Sequence, residues 1–193
     1  GFRTTPGEFK DSRIQWCQLD IQAPESVAEL AARVGDIDIL INNAGVLLPT
    51  ATDPAQELIN LRTMMDVHLY APLCLIDALL PSMQRSRHPT IATISSRGSY
   101  VNGAGCEADC ARKSALHAAT QGLRLKHPNI ACIGVYPGPT ATDMTAGSPV
   151  PLADPMQSAR QIVAGMMAGE TSIFPDPAAR DVESVVGASI RAL

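Results

Sequence analysis

Asp38-Ile39-Leu40-Ile41-Asn42-Asn43-Ala44-Gly45-Val46 decides the fold. Its apolar run is too short for a helix, is β-branched at two of three positions and stops abruptly at Asn-Asn-Ala-Gly. That is the pattern of a buried strand ending at a polar edge. In open α/β sheets ligands bind beyond the carboxyl ends of the strands, and small residues after the asparagines let a flat ligand approach the backbone closely. The site is expected there.

Working outward, Thr90–Ile94 reads as a second buried strand that ends in Ser95-Ser96-Arg97-Gly98. A third, Ile130–Tyr136, ends in Pro137-Gly138-Pro139-Thr140-Ala141-Thr142-Asp143. Upstream, Ile14–Leu19 alternates weakly and closes at Asp20-Ile21, and Pro24-Glu25-Ser26 opens a helix through Val34. Asp53-Pro54 starts a long helix, with Leu58, Leu61, Met65, Leu69, Leu73, Ile76 and Leu80 forming one stripe that Pro81 should end. Pro72 lies inside it and has no amide hydrogen, so the carbonyl of His68 is left free for a water. An alanine-rich helix is expected from Ala104 to Leu125, a mobile lid over Gly147–Pro155, a helix over Met156–Ala168, a short strand over Thr171–Phe174 and a last helix over Pro177–Leu193.

The chain has 193 residues, of which 46% are hydrophobic, enough for one domain over 1–193. Its net charge of −4 gives no reason to expect nucleic acid or an anionic membrane as partner. No apolar run in the sequence reaches the ~18 residues of a spanning helix, and no apolar leader stands at the start. Five cysteines, an odd number without paired spacing, point to reduced thiols and a cytoplasmic protein. Cys106 and Cys110 can share a helix face, but no histidine or third cysteine stands at ligand spacing, so no metal is expected. His88, His117 and His127 read as surface or packing residues.

Asn42-Asn43-Ala44-Gly45, Ser96, Lys113 and the Pro-Gly loop with Thr142 together resemble the short-chain dehydrogenase/reductase family. The separations His68 to Ser96, Ser96 to Asp109 and Asp109 to Lys113 are 28, 13 and 4 positions and match that family's catalytic register. The resemblance implies a Rossmann-like α/β fold, a mostly parallel sheet with helices on both faces. It also implies an oxidoreductase that uses NAD or NADP on a small-molecule carbonyl or alcohol. Asp20 and Ile21 inherit contacts to adenine, and Asn43, Ala44, Gly45, Pro137, Gly138 and Thr142 inherit contacts to the dinucleotide. Ser96 inherits the hydrogen bond to the substrate oxygen, and Lys113 the nicotinamide ribose. Homo-oligomers through the helices 54–80 and 104–125 are implied as well.

Three departures accompany the resemblance. His68 replaces the family's asparagine, so the amide is gone although its backbone carbonyl can still hold a water. Asp109 replaces the tyrosine that donates a proton. Beside Lys113 at i, i+4 it should be ionised, with no proton to give, and losing a general acid costs about 10²–10⁴-fold in rate. Tyr100, in the preceding loop, is a candidate substitute donor. Finally, the family's first strand, glycine-rich phosphate turn, helix and second strand have no counterpart in these residues, so the sequence is expected to be a piece of a longer chain. What remains is a five-strand portion. Either Ile14–Leu19 pairs beside Ile37–Ile41 in a sheet of family order 3-4-5-6-7, or that edge lies open and promotes self-association.

Three functions follow: an NAD(P)-dependent oxidoreductase with impaired catalysis, a non-redox pseudoenzyme that uses the old pocket for binding or dimerisation, and a hydrolase built on Ser96, His68 and Asp109. The last lacks a nucleophile-elbow sequence around its serine.

Overall fold

The computed structural model describes residues 11–49, 51–103 and 106–190. The expected helix start at Ala104 and the end of the expected last helix, 191–193, lie outside the described residues. The elements are α1 (Pro24–Arg33), β1 (Ile39–Asn42), α2 (Pro54–Met65), a π-helical turn (Asp66–Tyr70), α3 (Ala71–Met83), β2 (Thr90–Ile94), α4 (Glu107–Lys126), β3 (Ala131–Val135), α5 (Pro155–Met167), β4 (Ser172–Ile173) and α6 (Pro177–Ile190). The strands form one parallel sheet in the order β1-β2-β3-β4, with Ile39 opposite Thr90 and Thr90 opposite Ala131.

Helices α2 and α5 begin where their sequence can satisfy or dispense with the first amides. Asp53 accepts from the Ala55 and Gln56 N–H groups at 3.4 and 3.2 Å, and Pro54 has no N–H to satisfy. Asp154 repeats the device at α5, accepting from Gln157 N–H at 2.7 Å ahead of Pro155. Between α2 and α3 the missing N–H of Pro72 is taken up by widening one turn. Ala71 N–H bonds the Asp66 carbonyl, five residues back, and the helix resumes beyond it. The expectation that Pro81 ends this segment is corrected. Helix α3 runs on to Met83, because a proline in a last turn next to exposed Asp77 costs only a carbonyl partner that solvent can replace. Pro54–Met83 is thus long and apolar enough, by length and composition, to cross a membrane. Its Met64, Val67, Leu75, Ile76, Leu79 and Met83 are instead turned into the domain.

The core lies between the sheet and α3 and α4, around Ile76, Met83, Ile91, Ile130 and Cys132. Burying side chains such as Met83 and Ile91 completely stabilises the fold by about 1.5–3 kcal/mol each. A second cluster of Ala92, Ile133, Val135 and Ile173 packs under α5.

The expected strand over Ile14–Leu19 does not form, so the sheet has four strands among the described residues and not five. Ile14 and Trp16 are 39% and 48% exposed, while Leu19 and Ile21 pack against Val27, Leu75 and Leu79 between α1 and α3. An extended segment becomes a strand only when it finds a ladder partner, and burial of its last residues under α1 holds this one away from β1. The other expected arrangement is the one found: β1 is an outer strand, with Ile39 and Ile41 53% and 52% exposed.

Candidate active site

The carboxyl ends of β1, β2 and β3 carry the residues singled out in the sequence. After β1, Asn43 and Ala44 are exposed and Gly45 lies against a histidine ring: a Cβ on Gly45 would stand 2.6 Å from His68 Cε1. His68 is buried, and its Nε2 is 2.7 Å from the Val46 carbonyl oxygen and 3.0 Å from the Val46 N–H. Burial, aided by the charges of Lys113 and Arg112, lowers its pKa to about 3. The neutral ring donates to the carbonyl in one tautomer and accepts from the N–H in the other. Either way it ties the strand-end loop to the helix, and neither bond involves Ser96.

After β2, two serines do different work. Ser95 is buried, its Oγ 2.8 Å from Ser99 Oγ, and both hydroxyls reach the Lys113 carbonyl, at 3.2 and 3.0 Å. Ser114 Oγ donates in turn to the Ser99 carbonyl at 3.0 Å. These bonds fix α4 against the strand end, and along it Lys113 Nζ donates to the Ser95 carbonyl at 3.2 Å. Ser96 Oγ accepts from Gly98 N–H at 3.0 Å, which leaves its own hydrogen to give to a ligand. Burial, then the neighbouring Arg112 charge, lowers the Lys113 pKa to about 8 against the opposing pull of Asp109.

The expectation that Asp109 faces Lys113 is corrected. Asp109 Oδ1 is paired with Arg112 Nη2, three residues on, and Arg112 is only 2% exposed. Both i+3 and i+4 partners are within reach of Asp109 on a helix. Lys113 is drawn to the Ser95 carbonyl, and the arginine takes the carboxylate. The Nε and Nη1 atoms of Arg112 have no hydrogen-bond partner, so Asp109 holds the bond that keeps this buried guanidinium satisfied at all.

The loop after β3 is anchored from behind. Gly138 N–H donates to Asp176 Oδ2 at 2.8 Å, and Asp176 Oδ1 accepts from Ala179 N–H at 3.0 Å in the first turn of α6. A Cβ on Gly138 would meet Asp176 Oδ1 at 2.6 Å, so only glycine lets the loop lie this close. Pro137 accepts from Arg97 N–H at 2.9 Å, and exposed Thr142 caps a short turn with Thr145. The far end of the segment expected to be a lid meets this loop at Ala153: Ala141 N–H bonds the Ala153 carbonyl at 2.9 Å, and Ala153 N–H bonds the Pro139 carbonyl at 2.8 Å.

Two expected residues stand apart from this group. Asp20 uses Oδ1 on Gln22 N–H at 2.9 Å and its own N–H on Ser26 Oγ at 3.0 Å, and Ile21 packs beside α1. Tyr100 is not a poised donor. Its ring lies at 4.7, 4.9 and 5.9 Å from those of His117, Tyr136 and Phe174, its hydroxyl is 3.2 Å from His117 Nδ1, and burial raises its pKa further. His117 also lies 2.7 Å from the Tyr136 hydroxyl, so it is the hub of a half-buried hydrogen-bonded cluster. Sequence reasoning passed over Ser95, Arg112 and Asp176. Only Arg112 left a signal, a long cation beside the lysine in a helix otherwise rich in alanine.

The family model for short chain dehydrogenases matches residues 4–150. The chain is 31% identical over 144 residues to retinol dehydrogenase 8 of Bos taurus, covering 72% of this chain and 46% of that protein. It is 32% identical over 143 residues to 1-deoxy-11-beta-hydroxypentalenate dehydrogenase of Streptomyces avermitilis, covering 68% and 52%. Among solved structures, a short chain dehydrogenase from Burkholderia cenocepacia in complex with NADP superposes with a TM-score of 0.82 at 27% identity, over 94% of this chain and 79% of that one. The chain spans about half the length of these curated relatives.

Proposed function

Because the chain belongs to the short-chain dehydrogenase/reductase family, we propose that its strand-end site is an NAD(P)-dependent carbonyl or alcohol oxidoreductase centre whose proton delivery is impaired. The observation that carries this reading is Asp109 paired with buried Arg112 at the position, four residues before Lys113, where the family has its phenol.

The residues present fit the nicotinamide half of a dinucleotide. Lys113 offers an ammonium for a ribose hydroxyl, Thr142 an exposed hydroxyl, and Asn43 and Ala44 an open backbone edge. The phosphates have no glycine-rich turn among these 193 residues, so no step is assigned to that half. Bound there, the pyridine nucleotide supplies or accepts a hydride. Ser96 donates its free hydrogen to the substrate oxygen and orients it. Lys113, held on the Ser95 carbonyl, sets the positive potential on that side. Asp109 contributes a carboxylate already engaged with Arg112, and proton transfer at the reacting oxygen lacks its usual donor.

A binding role without turnover is the second reading, and the same ion pair favours it. Between α3 and α4 a groove of about 600 Å³ lined by Leu73, Ile76, Leu80 and Leu123 supports a homodimer through these helices. The reading treats 1–193 as one domain in the cytoplasm.

Fluorescence titration with NADH and NADPH, followed by turnover of a carbonyl panel, tests the proposal. Binding with slow turnover is expected. Failure to bind either nucleotide, in a folded sample, sinks it.

A further inference from the structure

Lys113 is placed in a way that its inherited role does not need. Its Nζ rests on the carbonyl of Ser95, the residue immediately before Ser96, so the amine's anchor and a hydroxyl with a free hydrogen sit on consecutive residues at one strand end. The carboxylate that would hold the amine as a salt bridge is paired elsewhere, with Arg112. On α4 the charged groups facing Lys113 are thus a cation and a committed anion. From the π-helical turn comes His68, neutral and fixed on Val46. From the end of β2 the Ser95 carbonyl reaches it. The lysine as a whole is half-buried, with its amine drawn inward onto the strand end.

We propose that Lys113 is an amine nucleophile that forms a Schiff base with an aldehyde whose oxygen is held by Ser96. This rests on reading the strand end as a carbonyl-binding site. The nitrogen lone pair attacks the carbonyl carbon and the C=O electron pair moves to oxygen, which takes up a proton to give a carbinolamine. The nitrogen then loses its remaining proton as the C–O bond breaks, giving C=N and one water. Aldehyde and amine become imine and water, and no oxidant or reductant takes part. Desolvation beside a second cation is a known way to make a lysine nucleophilic near neutral pH, and both conditions hold here.

The test is reductive trapping of the full chain with benzaldehyde and borohydride, read by peptide mapping. The sequence has three lysines, Lys10, Lys113 and Lys126, and peptide mapping separates each of them from the chain's α-amine, which serves as an internal reference for an amine of pKa about 8. At pH 7.5 an amine of pKa about 8 is neutral roughly 200-fold more often than one at the ordinary 10.4, so Lys113 should label at least about 10-fold faster than a model lysine peptide. The rate should rise through pH 8, and Ser96→Ala, with unchanged circular dichroism, should lower it. Labelling spread over Lys10 and Lys126 with no preference for Lys113, or a rate indifferent to Ser96→Ala, overturns the inference. Turnover with NADPH is scored separately. Trapping at Lys113 in a chain that binds no nucleotide sinks the oxidoreductase reading alone, and nucleotide-dependent turnover without trapping sinks the Schiff base alone.

Discussion

Asp109 is what makes Arg112 tolerable in the interior. Removing one partner of a buried ion pair leaves an uncompensated charge at a cost of about 3–5 kcal/mol, and the partial exposure of Asp109 reduces this to about 2 kcal/mol for Asp109→Asn. Adding Arg112→Ser should recover most of that loss in urea melts, because the charge goes with its partner. Purely additive losses would contradict the coupling. His68 makes a second prediction. With a folded pKa of about 3 against an ordinary 6.5, the native ring refuses the proton that the unfolded chain accepts, so stability is full above pH 6.5 and falls as pH drops toward 3. Between pH 6.5 and 5 the loss should be about 2 kcal/mol. His68→Leu should flatten that part of the profile, and an unchanged slope would show that His68 is not its source. At this scale the sequence displayed the register of His68, Ser96, Asp109 and Lys113. It did not display which cation Asp109 takes, because that choice depends on the Ser95 carbonyl, a group from a distant strand.

Helix α6 and the loop after β3 are joined through one carboxylate. Asp176→Ala removes the N-terminal bond to Ala179 and the partner of Gly138 N–H at once, for an expected loss of about 2–3 kcal/mol and faster hydrogen exchange at the Gly138 amide. Exchange at Gly138 equal to wild type would mean the loop holds itself. Helix starts such as Asp53-Pro54 were legible because capping is a local matter. Pro72 revealed a lost amide but not that a π-helical turn would absorb it. Ile14–Leu19 misled because weak alternation marks an extended segment without saying whether a neighbouring strand exists to pair with it.

For the whole molecule, the parallel sheet and its site-bearing edge followed from where apolar runs stop, while the open side of β1 depends on what pairs with it. Exposed Ile39 and Ile41 on a strand paired on one side only are a template for association. The 193-residue chain should therefore associate with rising concentration in analytical ultracentrifugation, and Ile41→Lys should suppress this. A monodisperse monomer at all concentrations would contradict the open edge. The central claim is that the scaffold is that of a dehydrogenase whose proton donor has been exchanged for an internal ion pair. NADPH-dependent reduction of a carbonyl panel, compared between the native sequence and Asp109→Tyr with Arg112→Ser, tests it most directly. The account predicts turnover about 10²-fold or more higher in the double variant, and a native chain that reduces its carbonyls as fast as the double variant would contradict it.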